Sequence, residues 1–290
     1  MKNIIEYFYK IDINQIKYKN NKYYIFSNNN YYIFEKCKSK VDMLALKETQ
    51  KYENFHKIIY NFRGELITNF ENNNYILFQI TTKKENKLVD FNDIKSIFSL
   101  RVFSNVSPYK WDILWSKKID NFENYITKKN KMFKFREYYD YFIGLGENAI
   151  QYYQFAKNYT LEYGITYSRI KKNFELYDLY DPLNVTISSP VKGIAEYIKE
   201  AFFNDSPIDI INIESLNLNY QESVLLISRL LFPTYFFDIF HNGKEENKEY
   251  IEKIINYSLL YEKYLKKIFK TIKKKYSYIP SITWLQTNQP

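Results

Sequence analysis

Residues 23–34 read Tyr-Tyr-Ile-Phe-Ser-Asn-Asn-Asn-Tyr-Tyr-Ile-Phe. Two aromatic and β-branched runs flank a short polar stretch. Asparagine tolerates the left-handed backbone of a tight turn, so the segment predicts a β-hairpin turning over Asn28-Asn29-Asn30. A second pair of runs, Glu65 to Phe70 and Tyr75 to Ile80, is separated by Asn72-Asn73-Asn74 and predicts another. Between them, Val41, Leu44, Ala45 and Glu48 recur at helical spacing over Lys40 to Asn54, with Ser39 placed to cap the start. The first eighty residues therefore predict a strand-rich region with one helix, in the order β-β-(β)-α-β-β.

After Thr82 the periodicity becomes helical. Phe91 to Arg101, Trp111 to Lys129 and Lys134 to Lys157 predict helices, followed by a turn-rich stretch from Gly164 to Pro190. Gly193 to Phe203, Tyr220 to Phe240 and Lys244 to Lys275 complete the helical part. In the last of these, Lys266, Lys267, Lys270, Lys273, Lys274 and Lys275 lie mostly away from an isoleucine and leucine stripe, the pattern of a solvated face. A small strand-rich lobe (1–82) before a larger helical one (83–290) is an α+β layout. It matches the two-lobed protein-kinase-like architecture, with nucleotide expected between the lobes.

Composition excludes several chemistries. The single cysteine, Cys37, permits neither an intramolecular disulfide nor a cysteine zinc site, and only His56 and His241 are available as imidazoles. No long uncharged apolar run is present and mean hydropathy is −0.49, so no membrane span is expected. The N-terminal residues lack the apolar core of a signal peptide, which points to a soluble intracellular protein. A net charge of +9, from 42 Lys+Arg against 33 Asp+Glu, is compatible with nucleic acid. The excess is lysine, however, and lysine, asparagine, tyrosine and phenylalanine are what A/T-rich codons supply. Nucleic acid is not the expected partner.

Particular motifs narrow the reading. The segment YYDYFIGLGENAIQYY (Tyr138 to Tyr153) resembles the long helix of the spore-coat kinase-like proteins, relatives of aminoglycoside and choline phosphotransferases. YDLYDPLNV (Tyr177 to Val185), VKGIAEYIKEAFF (Val191 to Phe203) and YIPSITWL (Tyr278 to Leu285) are similar to later motifs of the YutH-like spore coat branch. GELITNFENNNYILFQI (Gly64 to Ile80) resembles the last strands of that family's small lobe. The resemblance implies a kinase-like fold, a spore-forming bacterial source and a role in the spore coat with other coat proteins as partners. It also implies residence in the mother-cell cytoplasm before incorporation in the coat.

A phosphotransferase of this class needs a phosphate loop, a lysine with its glutamate, a catalytic aspartate, and an Asn and an Asp for magnesium. No glycine precedes Gly64, so no glycine loop covers a phosphate. Lys36 or Lys38, with Glu48 as partner, are the candidates for holding nucleotide phosphates; the competing reading makes both lysines surface charges near a strand end. The resemblance aligns Tyr167-Ser168-Arg169-Ile170 with the His-Gly-Asp-Leu of active relatives, which puts Arg169 at the catalytic aspartate and Tyr167 at the histidine. Phe174 falls at the asparagine position beside Asn173, and Ser188 and Ser189 stand where the magnesium aspartate is expected. Arginine cannot take a proton from a hydroxyl. The expectation is a pseudokinase with no cofactor; ATP and Mg²⁺ belong to the alternative, an active kinase with an atypical site.

Secondary candidates carry competing structural readings. Glu175, Asp178 and Asp181 beside Asn184 form an acidic group able to face Mg²⁺, or a solvated loop that Asp181-Pro182 turns. Gly144-Leu145-Gly146 reads as close helix packing, since it lacks the strand and third glycine of a dinucleotide motif. Cys37 has lysine neighbours that would lower its pKa. His241, before Asn242-Gly243, marks a helix end, and Glu196 is expected to pair with Arg169 or another internal cation.

Overall fold

A computed structural model describes residues 1–37, 41–81, 87–103, 110–129, 138–157, 162–167, 169–171, 173–241 and 248–286. Lys38, Ser39, Ser168 and Asn242-Gly243 lie outside the described residues. The chain divides into two units: 1–93 with 165–169 and 173–187, and 94–164 with 170–172 and 188–290.

The first unit is built on an antiparallel sheet. Helix α1 (Lys2–Tyr9) precedes β1 (Gln15–Lys19), β2 (Lys22–Ser27) and β3 (Asn30–Lys36). Helix α2 (Met43–Thr49), β4 (Lys57–Ile59), β5 (Thr68–Phe70) and β6 (Asn73–Gln79) follow. The strand order is β1-β2-β3-β6-β4, with β5 pairing β6. Three two-residue turns make the hairpins, each with both central residues left-handed: Asn20-Asn21, Asn28-Asn29 and Glu71-Asn72. Such turns match the twist of the strands they join, and asparagine adopts them at low cost. The hairpin at Asn28-Asn29 is thus the second of the chain. The first, at Asn20-Asn21, escaped the sequence reading because Gln15–Lys19 is polar and mostly exposed on both faces.

Both faces of the sheet centre are covered. Ile5 and Tyr9 of α1 pack with Ile13, Ile25, Phe34 and Leu77 on one side. Leu46, Ile58, Ile76, Phe78 and Cys37 pack on the other. Helix α2 is shorter than the predicted 40–54 span and is capped by Asp42, whose Oδ1 accepts from the Ala45 amide at 3.0 Å. Its Oδ2 accepts from Thr186 Oγ1 (3.0 Å) and the Ile187 amide (3.3 Å), fastening the 173–187 segment to the same unit. That segment belongs to the stretch read as irregular, which in fact contains β8 (Tyr163–Tyr167), α6 (Leu176–Leu179), a 3-10 turn (Pro182–Asn184) and β9 (Val185–Ser188).

The second unit is helical. It begins within α3 (Phe91–Phe98) and includes β7 (Arg101–Val102), α4 (Trp111–Lys129) and α5 (Tyr139–Lys157). It continues through α7 (Val191–Phe203), α8 (Ile210–Glu214), α9 (Tyr220–Leu231), α10 (Thr234–His241), α11 (Lys248–Lys275) and α12 (Thr283–Gln286). Helix α5 packs on α4 and α9. Aromatic rings fill the core: Phe142 stacks on Phe236 at 3.9 Å and Trp115 on Phe232 at 4.6 Å. The predicted helix 220–240 is broken before Pro233, because proline offers no amide and drives Phe232 out of the helical region (ψ 116°). No single described helix is long and apolar enough to cross a membrane.

Of the two glycines on α5, Gly146 reflects close packing, since an added Cβ would sit 3.0 Å from Ile119 Cδ1, whereas Gly144 has open space. Gly164 on β8 is tighter still. Its Cβ would lie 2.5 Å from the Leu100 carbonyl oxygen and 2.9 Å from Pro190 Cγ. Gly164→Ala is expected to cost about 1–3 kcal/mol through backbone displacement, read as a lower urea midpoint. An unchanged midpoint would show that the β7–β8 pair yields freely.

Candidate functional site

The hairpin at Asn28-Asn29 sets its own register. Ser27 pairs with Asn30, so Lys22 of β2 falls opposite Glu35 of β3. The Lys22 ammonium lies 2.9 Å from Glu35 Oε2 and 2.6 Å from Asp181 Oδ2, with Asp178 Oδ1 at 4.0 Å. Asp181 is 1% exposed and Glu35 6%, so two buried carboxylates converge on one cation within the first unit. Glu35 Oε1 has no hydrogen-bond partner among the described residues.

Local structure explains why Asp181 is there. Its Oδ1 accepts from the Leu183 amide at 2.9 Å and caps the 3-10 turn that opens with Pro182. Asn184 donates from its backbone amide to the Asp181 carbonyl and from Nδ2 to the Asp178 carbonyl, both at 3.0 Å. Aromatic and imidazole groups close the surroundings. Lys22 Nζ lies 5.8 Å from the Tyr177 ring centre, and that ring is 5.9 Å from Tyr24 and 4.9 Å from His56. His56 is fully buried, with Nε2 3.1 Å from the Tyr177 carbonyl and its amide donating to the Tyr180 carbonyl. A carbonyl can only accept, so Nε2 carries the proton.

Charge follows from this geometry. Burial pushes the Glu35 carboxyl up, and the Asp181 charge adds to that effect against the opposing pull of Lys22. Burial would also raise Asp181, but the Lys22 ammonium and the hydrogen bonds it receives hold it below the usual carboxylate range. Burial disfavours the Lys22 cation, yet Asp181 and Glu35 outweigh it and lift its pKa above the ordinary lysine value. His56 is lowered to about 4, chiefly by burial, and is neutral at pH 7. The cluster is therefore a closed electrostatic unit in which Lys22 neutralises Asp181.

The family of the chain is settled by its sequence. A family model described as "Spore coat putative kinase YutH" matches residues 2–276. The chain belongs to the YutH spore coat family. It is 25% identical to the endospore coat-associated protein YutH of Bacillus subtilis (strain 168), over 78% of each chain. Among solved structures it resembles an aminoglycoside phosphotransferase from Alicyclobacillus acidocaldarius, with TM-score 0.65 and 10% identity over 92% of this chain and 94% of that one. Spectinomycin phosphotransferase APH(9)-Ia, in its AMP-bound complex, gives TM-score 0.59 and 12% identity over 99% and 98%. The fold is accordingly the aminoglycoside-phosphotransferase, kinase-like one, an antiparallel sheet followed by helices.

The positions singled out from the YutH resemblance can now be placed. Tyr167, at the end of β8, is buried, donates its hydroxyl to the Leu179 carbonyl at 2.9 Å and meets Phe174 edge-on. Arg169 and Asn173 are exposed, and Phe174 is buried. Ser188 and Ser189 are buried hydroxyls in the second unit. Asp178 and Asp181 do come together, but around the Lys22 ammonium, and Asn184 joins them through their backbone carbonyls. Lys36 ends β3 with an exposed side chain, whereas both oxygens of Glu48 accept from Lys51 at 2.7 Å. The structure therefore does not join Lys36 to Glu48. Burial raises Cys37 to about 12, so its thiol is protonated, against the expectation from its lysine neighbours. Lys22, Glu35 and His56 were the residues missed as a cluster, although the hairpin register alone pairs the first two.

Proposed function

We propose that this YutH-family chain is a catalytically degenerate kinase-fold protein of the spore coat that acts by binding other coat proteins. The observation that carries the reading is Arg169, an exposed arginine at the position where the family resemblance calls for the catalytic aspartate. A group with a pKa above about 12 cannot serve as the proton acceptor for a substrate hydroxyl. Two features support it. Tyr167 uses its hydroxyl on the Leu179 carbonyl, and Asp181 uses its oxygens on Lys22 and the Leu183 amide. Magnesium requires carboxylate oxygens that are not already neutralised. The relative's description as endospore coat-associated supports the coat as its place and other coat proteins as its partners, and assembly from the mother-cell cytoplasm is part of the same proposal. No cofactor is required.

The test is thermal unfolding with and without ATP·Mg²⁺, followed by a radiolabelled phosphate-transfer assay. A ligand at 100 times its dissociation constant stabilises by about 2.7 kcal/mol, a shift of roughly 5–10 °C for a chain of this size. No Mg²⁺-dependent shift and no transferred phosphate are expected. Phosphate transfer would establish the alternative, an active kinase with an atypical site.

A further inference from the structure

Beyond the kinase-type positions, the second unit carries a long helix whose outer face changes character part-way along. On α11, Leu260, Lys263, Lys267, Lys270 and Lys274 are all exposed, at intervals of 3, 4, 3 and 4 residues. That spacing makes one straight stripe of about 21 Å, at ~1.5 Å per residue. Leu259 (67% exposed) and Leu260 (53%) stand at its head. No Asp or Glu follows Glu262 in the chain. The four stripe lysines make no hydrogen bond or ion pair among the described residues, whereas nearby Lys275 bonds Asn217 Oδ1 and the Leu218 carbonyl, each at 2.8 Å. Glu214 is the acidic neighbour at the far end, lining a cavity with Lys274 and Lys275.

Two ordinary explanations fall short. The helix dipole favours cations only in the last turn, which leaves Lys263, Lys267 and Lys270 unaccounted for. A/T-rich codons raise lysine throughout the chain, but they act without regard to helical period and so do not explain a row aligned on one face. Like charges at this spacing repel one another. We propose that this stripe is the docking surface for an acidic protein segment, a helix presenting carboxylates every three to four residues with apolar side chains at one end to meet Leu259 and Leu260. This deepens, and rests on, the protein-binding reading above. A membrane is the poorer fit, because the apolar face of α11 (Ile254, Leu265, Ile268, Ile272) is already buried and cannot insert. Nucleic acid is the poorer fit, because the exposed leucines at the head of the stripe give a single strand no aromatic platform and meet nothing apolar on a duplex phosphate backbone.

The full-length chain and its Lys263→Glu/Lys267→Glu/Lys270→Glu/Lys274→Glu variant would be titrated with labelled poly-L-glutamate, a DNA duplex and phosphatidylserine vesicles over a salt series. Melting temperatures of the two chains serve as the folding control. The wild type is expected to bind poly-L-glutamate with a steep salt dependence, and the charge-reversed variant at least ~10-fold more weakly. Equal binding by the variant, or preferential binding of DNA or vesicles, overturns the proposal. Fluorescent fusions in sporulating cells separate the two readings. Coat incorporation of both chains overturns the surface alone, and loss confined to the variant supports it. Failure of the wild type to reach the coat removes the coat-protein reading and leaves the surface to stand or fall on the glutamate titration.

Discussion

Lys22→Met is expected to destabilise the first unit by about 3–5 kcal/mol, the effect of removing one partner from a buried ion pair. Methionine fills the volume of the lysine stem, so packing changes little and the loss is electrostatic. Asp181 would lose its cation and keep the Leu183 amide at Oδ1 and the Glu35 carboxyl, neither of which neutralises it, and Glu35 would lose its bond from Lys22 at Oε2. Second-site changes distinguish this from simple misfolding. Lys22→Met/Asp181→Asn removes the uncompensated anion and should recover at least about 1 kcal/mol, because directly contacting residues couple. All three tryptophans (Trp111, Trp115 and Trp284) lie in the second unit, so the readout must be circular dichroism or amide exchange on β2 and β3. Unchanged exchange protection in Lys22→Met would contradict the account.

The same cluster predicts a pH dependence with a definite sign. The folded Glu35 carboxyl titrates at about 8, against an ordinary value of 4.5, with burial as the first cause. The folded state therefore binds the extra proton between those values. The contribution of Glu35 is complete below pH 4.5 and is lost as pH rises through about 8. Asp181 runs the other way: lowered in the fold, it contributes above the ordinary aspartate value and is lost only as pH falls through its depressed one. Stability of the first unit should decline on the alkaline side, and Glu35→Gln should flatten that decline. A decline of equal slope in Glu35→Gln would place its origin elsewhere.

Parts of this were legible in the residues and parts were not. The run Tyr23 to Phe34 announces its hairpin because local chemistry decides it: aromatic and β-branched strands around a turn of asparagines. Once the turn is fixed at Asn28-Asn29, counting outward pairs Lys22 with Glu35. Local information stops there, since Asp181 reaches Lys22 across 159 positions of sequence. The bounds of α4, Trp111–Lys129, follow from Trp111, Trp115, Ile119 and Phe122 recurring at helical spacing, all four buried. By contrast, β1 was hidden by polarity on both of its faces, and the break at Pro233 was obscured by apolar residues on either side. Charged neighbours in sequence misled at Cys37, where burial, a tertiary property, sets the thiol.

Glu196→Ala is the corresponding large effect in the second unit. Glu196 Oε1 on α7 accepts from Arg229 Nη2 of α9 at 2.6 Å, with Lys199 Nζ at 3.6 Å, and all three residues are buried. The expected internal cation is thus Arg229, while Arg169 is exposed. Arg229 also lies 4.6 Å from the Trp111 ring and 5.7 Å from Trp115, so the carboxylate fixes a guanidinium that two indoles then cover. Without Glu196, the buried Arg229 and Lys199 charges lose the carboxylate oxygen that both face. Lys199 keeps Thr234 Oγ1 at 2.7 Å and the Arg229 carbonyl at 3.1 Å, neutral oxygens that do not replace the lost carboxylate charge. A loss of about 3–5 kcal/mol is expected, or roughly 6–20 °C in melting temperature. Trp111 and Trp115 make intrinsic fluorescence the direct readout, with a spectral change in the native baseline as well as an earlier midpoint. Glu196→Leu/Arg229→Met, an apolar pair of similar volume, should regain part of the stability, because a buried ion pair is replaced more cheaply than it is broken while Lys199 still lacks the Glu196 carboxylate. If Glu196→Ala melts with the wild type, the pair is a bystander and the stacked aromatics alone hold α7 to α9.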